Sequence, residues 1–291
     1  MKIDLHTHST ASDGTQPPAQ VMVSAVEAGL DAVALTDHDT TAGWVEAAEA
    51  AAQTGLTLVR GTEISCQTEH GVSVHMLSYL QDPDYLPLKR VMERARTSRL
   101  TRARRMAELI GKDYPITWDM VQQHVADGAT VGRPHLADAL VTAGVVADRT
   151  EAFNTVLHPR SGYYVPHEAP DPVTAVRLVR EAGGVPIMAH PMATTRGRVV
   201  DDRALIAFID AGLAGLEIAH RDNPQAARAH LSQLAAHYDL IVTGSSDYHG
   251  AGKPNRLGEN LTSIRSLRRI EEQSSGTTPI LWASTAPAAS P

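Results

Sequence analysis

The feature that most restricts this chain's fold is a recurring unit, a short apolar run that discharges at once into a polar cluster. Asp31-Ala-Val-Ala-Leu35 runs into Thr36-Asp37-His38-Asp39, and Val185–Met188 runs into Ala189-His190-Pro191. Gly215–Ile218 ends in Ala219-His220-Arg221-Asp222, and Leu240–Thr243 ends in Gly244-Ser-Ser-Asp247-Tyr-His249. The chain opens the same way, with Lys2–Leu5 leading into His6-Thr7-His8. Leu56–Val59 precedes Gly61-Thr-Glu63, and the alternation Val72, Val74, Met76 within Gly71–Leu80 carries His75. Helical patterns separate most of these runs, over about Pro17–Ala28, Thr41–Thr54, Asp171–Ala182, Arg203–Ala211 and Pro224–His237. Short strands alternating with helices predict βαβ units and a largely parallel sheet or barrel. In such folds sites are built at the carboxyl ends of the strands, which is where the polar clusters fall.

The rhythm breaks between Asp82 and about Ala182. Leu86–Gly111 reads as one long helix with a basic face (Lys89, Arg90, Arg94, Arg96, Arg99, Arg102, Arg104, Arg105), which could touch a nucleic acid chain but reads first as a solvated helix face. Helical stretches follow near Trp118–Ala126, Arg133–Ala143 and Asp148–Val156, and Arg160–Pro166 reads as extended. The organisation expected is a barrel of residues 1–81 and 184–275, a helical insertion of 82–183 forming part of the substrate site, and a flexible tail of 276–291.

Composition removes several classes of function. A formal net charge of −7 gives no global attraction for nucleic acid or anionic membrane, although a local basic pocket stays open. No apolar run reaches membrane-spanning length, the first residues read as a strand and not as a signal peptide, and no obligate protein partner is evident. Cys66 is the one cysteine, which excludes an internal disulfide and a multi-thiolate metal site and fits a reducing, cytoplasmic setting.

Collected, the strand ends supply His6, His8, Asp13, His38, Glu63, His75, His190, Asp247 and His249. His6 and His8, two apart, project to one side of a strand. Singly, each residue has a bland explanation. A histidine at a strand end is often a satisfied polar group, Asp13 before glycine is a turn residue, and Asp37 and Asp39 read as helix N-caps. Nine such groups at one end of successive strands point instead to metal. Imidazole with carboxylate and no thiolate suits Mn, Fe or Zn, and nine ligands suit two or three divalent ions.

His6-x-His8, Thr36-Asp-His38-Asp, Gly61-Thr-Glu63, Ala189-His190-Pro and Gly244-Ser-Ser-Asp247-Tyr-His249-Gly, taken in order, resemble the motifs of the PHP (polymerase and histidinol phosphatase) phosphoesterases. The likeness is strongest to the small stand-alone bacterial members often labelled TrpH-like. It spans residues 1–80 and about 185–260, and the inserted segment resembles theirs too. The resemblance implies an α/β fold, a distorted (β/α)7 barrel with a trinuclear metal centre. One ion would fall to His6, His8, Glu63 and Asp247, a second to Glu63, His75 and His190, and a third to Asp13, His38 and His249. It also implies hydrolysis of a phosphate ester by a metal-bridging hydroxide, needing no Ser or Cys nucleophile. Ser245 and Ser246 then read as turn residues, and Cys66 as a small buried hydrophobe.

Substrate recognition must come from other residues. Gly132-Arg133-Pro-His135 opens a helix, and a helix N-terminus with an arginine is a natural anion site. The motif resembles one that places an arginine over the substrate phosphate, so Arg133, with His135 beside it, is assigned there. His220, not needed for metal, is a phosphate ligand or leaving-group acid. Catalysis is thus assigned to Asp247, His220 and Arg133. The expected substrate is a nucleoside 3′,5′-bisphosphate or a nucleoside monophosphate. The alternative is a 5′→3′ exonuclease on short RNA or DNA oligonucleotides. A histidinol phosphatase and a non-catalytic metal-binding module are the remaining options.

Overall fold

The computed structural model describes residues 1–283. Its single sheet follows chain order: β1 (Ile3–Thr7), β2 (Ala32–Leu35), β3 (Thr57–Gln67), β4 (Ser73–Tyr79), β5 (Val185–Met188), β6 (Gly215–Ala219) and β7 (Ile241–Gly244). Beyond β7, Tyr248 bridges back to Thr7, and the His8 amide donates to the Tyr248 carbonyl at 2.8 Å. The sheet is thereby a nearly closed seven-stranded barrel. Helices α1 (Pro18–Glu27) and α2 (Trp44–Thr54) link the first strands. Between β4 and β5 lie α3 (Leu86–Ile110), α4 (Trp118–Gln122), α5 (Arg133–Thr142), α6 (Arg149–Asn154) and α7 (Pro172–Glu181), and α8 (Asp202–Asp210), α9 (Gln225–His237) and α10 (Ile264–Gln273) complete the chain. The α/β barrel with a helical insertion expected from the sequence is the fold found.

Local chemistry explains the boundaries. Asp148, Asp171 and Asp201 cap α6, α7 and α8 by accepting from backbone amides of the first turn. α2 stops at Gly55, whose φ of 68° is left-handed and costs a residue without Cβ nothing. Val33, Leu35 and Leu58 bury against Val21, Met22, Ala47 and Ala51 of the first two helices. Ile64, Val74 and Met76 do the same against Val176 and Val179 of α7. Each such buried Val, Leu, Ile or Met contributes about 1.5–3 kcal/mol. The insertion has its own core, in which Met106 and Ile110 of α3 meet Leu136 and Leu140 of α5. Leu88 and Met92, at the other end of α3, belong to the barrel's core. One long helix therefore fixes the insertion on the barrel.

Four expectations are corrected. β3 runs to Gln67, well past Val59, and β4 pairs antiparallel to both β3 and β5. An alternating apolar pattern fixes which face a residue takes but not which way the strand runs. Arg160–Tyr163 forms turns, and residues 164–170 join no strand. Ile264–Gln273, for which no helix was expected, forms the strongly amphipathic α10. The supposed tail is ordered through its first half, because Leu281 pairs with Leu58 in both directions (2.9 and 3.0 Å) and Ile280 is buried. The rest of that tail, 284–291, lies outside the described residues.

Asp4 ties the barrel's seam. Fully buried, it accepts from the amides of Ser246 (3.0 Å) and Gly258 (2.8 Å), and burial pushes its carboxyl up to about 6 against those bonds. In Asp4→Asn an amide NH₂ would meet one of these N–H donors, leaving a buried donor unpaired at a cost of about 1–3 kcal/mol. Thermal unfolding followed by circular dichroism should show a lower midpoint, by ~2–4 °C per kcal/mol in a chain of this size. A midpoint equal to that of the unsubstituted protein would refute this role.

Candidate metal centre

The nine strand-end residues gather at one mouth of the barrel. His6 and His8 sit with their Nε2 atoms 3.0 Å apart. Glu63 lies between the imidazoles. Its Oε2 is 3.2 Å from His6 Nε2, 3.1 Å from His8 Nε2 and 3.2 Å from His38 Nδ1. Its Oε1 is 2.7 Å from His75 Nδ1 and 3.1 Å from His190 Nε2. Asp247 Oδ1 stands 3.5 Å from His6 Nε2 and 3.4 Å from His8 Nε2, while Asp13 Oδ1 is 3.2 Å from His249 Nε2. Three sets have all their donor atoms within 4.8 Å: His6, His8, Glu63, Asp247; His8, Asp13, His38, His249; and His38, Glu63, His75. His75 reaches the site from the early part of β4, and not from a strand's carboxyl end, because that strand runs antiparallel.

The tautomers decide what these distances mean. His6 Nδ1 is 2.9 Å from Glu217 Oε1, and His249 Nδ1 is 2.8 Å from the Asp247 carbonyl. Both are acceptors, so each neutral ring carries its proton on Nδ1 and turns a bare Nε2 inward. His8 Nδ1 likewise faces the Ser12 hydroxyl, itself spent on Asp37 at 2.5 Å. His249 Nε2 and His38 Nδ1, on rings that burial keeps neutral, face carboxylate oxygens of Asp13 and Glu63 and are buried without hydrogen-bond partners. Such an arrangement needs a cation. Four donors held ~2.1 Å from a tetrahedral divalent ion would stand ~3.4 Å apart, close to the 3.0–3.5 Å separations of the first set. The outer partners Glu217 and Ser12 are of the kind that orient metal-binding imidazoles.

Electrostatics balance the same way. Burial opposes charge on Asp13, Glu63, Asp247 and Glu217, yet neighbouring cations and imidazoles hold all four below their ordinary range, Glu217 at about 2. Burial also opposes charge on His6 and His8, but Glu63, Asp247 and Glu217 raise His6 well above its ordinary value, and Asp247 and Glu63 raise His8 to about 9. Without metal, these two protons and the charges of Arg196 and Lys253 offset the four carboxylates.

Several site residues were not foreseen from the sequence. Arg196 donates to Asp247 Oδ2 (2.6 Å) and Asp222 Oδ2 (2.7 Å) and lies 3.1 Å from His190 Nε2, while Lys253 Nζ reaches the same Asp247 oxygen at 2.9 Å. Asp247 therefore turns one oxygen to the histidines and the other to cations. Glu217 was legible in principle, as a carboxylate inside the apolar run Gly215–Ile218. Asp37 and Asp39 are not helix caps. Asp37 accepts from the Ser9 amide (2.8 Å) and hydroxyl (2.7 Å), and Asp39 accepts from the Ser65 amide (2.8 Å) and pairs ionically with Arg99, whose Nε is 3.1 Å away. His220 is buried at the site, its Nδ1 accepting from the Asp222 amide at 3.1 Å, so its proton sits on an unpartnered Nε2 that lies 3.6 Å from Asp247. Arg133 stacks over Phe153 (5.2 Å) and Tyr164 (5.7 Å). His135 caps its own helix, its Nδ1 accepting from the Gly132 amide at 3.0 Å, and that bond leaves at most its other nitrogen for a substrate. Gly14 lets the loop fold tightly, since a Cβ there would come 2.5 Å from the His8 carbonyl.

The chain matches the PHP domain family over residues 4–140. It is similar to a 3′,5′-nucleoside bisphosphate phosphatase of Chromobacterium violaceum, 32% identical over 87% of this chain and 89% of that protein. It is equally similar to a 5′-3′ exoribonuclease of Haemophilus influenzae, 32% identical over 94% and 98% of the two chains. Among solved structures, a suggested metal-dependent phosphoesterase from Bifidobacterium adolescentis superposes with a TM-score of 0.91 at 45% identity, covering 94% of this chain and 96% of that one.

Metal loading at pH 7 should expel the protons held on His6 and His8, because ligation needs bare nitrogens. Titration calorimetry with Mn²⁺ in buffers of different ionisation enthalpy should show net proton release, and apparent affinity should climb as pH rises above 7. Metal should also raise the unfolding midpoint, and Glu63→Gln should abolish that rise. Binding without proton release would contradict this charge balance.

Proposed function

The chain belongs to the PHP domain family and is a metal-dependent phosphoesterase, and from that premise we propose that it removes the phosphomonoester of a small nucleotide, a nucleoside 3′,5′-bisphosphate or a nucleoside monophosphate. One observation carries the reading: the ring nitrogens of His6, His8 and His249 converge on Glu63, Asp247 and Asp13 at 3.1–3.5 Å, and His249 Nε2 is buried there with no hydrogen-bond partner. We assign His6, His8, Glu63 and Asp247 to one ion, and Asp13, His38 and His249 to another. To a third ion we assign Glu63, His75 and His190, although the donor atoms within 4.8 Å of one another there are those of Glu63, His75 and His38, and Arg196 approaches His190. Mn, Fe and Zn all suit these ligands. Ions held there would supply an acidified water near neutral pH and would offset charge on the phosphoryl oxygens.

The remaining steps belong to the chain's own side chains. Asp247 holds Arg196 and Lys253 at its outward oxygen, so that two cations stand beside the ligand cluster. His220 Nε2–H, unpartnered beside them, is placed to donate to a phosphate oxygen or to the departing alcohol. Arg133 on its aromatic bed, close enough to Arg99 to feel its charge, fits a second phosphate, which favours a bisphosphate over a monophosphate. On this reading the insertion of 82–183 supplies part of the substrate site. No helix among the described residues is long and apolar enough to cross a membrane, and lone, buried Cys66 fits a cytoplasmic setting.

Mn-loaded protein should release phosphate from adenosine 3′,5′-bisphosphate. His220→Asn should lower kcat by about 10²–10⁴-fold with metal content intact. Arg133→Ala should raise KM for the bisphosphate about tenfold or more, with a smaller effect on the monophosphate. Metal-loaded protein that leaves every nucleotide untouched, or that turns over only histidinol phosphate, would end this proposal.

A further inference from the structure

Asp247 turns its outward oxygen to two cations, although one would balance its charge. Lys253 Nζ reaches that oxygen at 2.9 Å, and Arg196 Nη2 donates to it at 2.6 Å. Arg196 is also held from the other side, its Nε donating to Asp222 Oδ2 at 2.7 Å. Its remaining arm meets a residue of the third ligand set. Arg196 Nη1 stands 3.1 Å from His190 Nε2, and that nitrogen stands 3.1 Å from Glu63 Oε1.

A guanidinium has donors and no acceptor, so it takes the lone pair of His190 Nε2 and leaves that ring's proton on Nδ1. A ring nitrogen carries one lone pair, and ligation to a metal needs the same one. The Arg196 bond and a metal bond at His190 Nε2 are therefore mutually exclusive. Charge adds to the exclusion, because two cations a few ångströms apart in a dry pocket repel strongly. The ligand sets bear the mark of this conflict. Two of them bring four donors each within 4.8 Å, whereas the one around Glu63 and His75 brings three, and His190 is not among them. The His190 backbone is pinned, since its amide donates to Glu217 Oε2 at 2.8 Å and the Met192 amide donates to Asn223 Oδ1 at 2.9 Å. Arg196 has room to move. It ends the short turn Thr194–Arg196, is exposed together with its neighbours, and precedes Gly197 at a φ of 140°, a conformation for glycine.

We propose that Arg196 gates the third ion. Its guanidinium and that ion compete for His190 Nε2, so the ion enters only when Arg196 withdraws towards Asp222. The third ion consequently binds more weakly than the other two and exchanges while they stay. This rests on the ligand assignment made under the proposed function and adds to it an order of filling. Charge balance alone does not account for the contact, because Lys253 already serves the outward oxygen of Asp247 and does not touch His190. A centre built this way answers to metal supply: the two four-donor sets fill first, and the third follows the free concentration of the metal.

The test counts bound metal and does not depend on turnover. Chelator-stripped protein is dialysed against rising free Mn²⁺, and bound Mn per chain is read by plasma mass spectrometry. The unsubstituted protein should fill in two stages, two ions before the third. In Arg196→Met, which keeps bulk but neither charge nor donor, the third ion should bind about tenfold tighter or more, a larger gain than at either other set. Arg196→Gln, neutral but still able to hold Asp222, is the second variant and should shift the third ion the same way. A third ion bound no tighter in either variant would overturn the gate. So would weaker binding at all three sets, the result expected if Arg196 merely props up the loop. Two ions at saturation in every variant would overturn the gate together with the third set, while a two-ion phosphoesterase would still stand. Filling in the expected order by a protein that releases no phosphate would overturn the catalytic reading and leave the gate in place.

Discussion

The carboxylate of Glu63 is the point on which the rest of the centre depends. Five imidazoles approach its two oxygens, three on one and two on the other. They come from β1 and the loops or strands after it across much of the barrel, so no neighbouring pair could hold this geometry alone. A single anion in a dry pocket is costly unless opposing charge surrounds it. The barrel lowers that cost by aiming the ring nitrogens of so many strands at one spot. Removing Glu63 would leave those nitrogens facing one another with nothing to share.

The layer outside explains why the histidines point as they do. Glu217 and the Asp247 carbonyl each take the proton of one ring nitrogen and so commit the other to the centre. Asp37 and Asp39 perform a quieter task, pinning the Ser9–Ser12 loop and β3 by their serines. Backbone strain is concentrated in the same place: Asp39, His190 and Asp247 all have positive φ. Non-glycine residues adopt that region at a cost of about 1–3 kcal/mol, and the surrounding hydrogen bonds must hold them there.

Most of the barrel could be read from the sequence because buried parallel strands show as uninterrupted apolar runs and helices as a longer period. All nine residues meet at one mouth, as the pattern of clusters suggested, but His75 arrives from the start of antiparallel β4 and not from a strand's carboxyl end. What stayed hidden has specific causes. The direction of β4 is invisible, since alternation is the same read either way. Asp37 and Asp39 sit just before a helix, where a cap and a loop anchor have the same local signature. Arg196 and Lys253 lie in irregular loops, and only their approach to Asp247 reveals them. Arg102 looked like one of many solvated arginines, and its burial depends on Val165–Ala169, some sixty residues further along the chain.

The seam between Thr7 and Tyr248 has a consequence for how the molecule assembles. His6 and His249 enter the same centre from opposite ends of the described chain, and the ladder that brings them together is a single bridge. Contacts of such sequence separation form late, after most loop-closure entropy has been lost. The centre is therefore complete only when the last strand has found the first. A cation held there would act as a clasp, slowing the reopening of a ring that few backbone bonds hold shut.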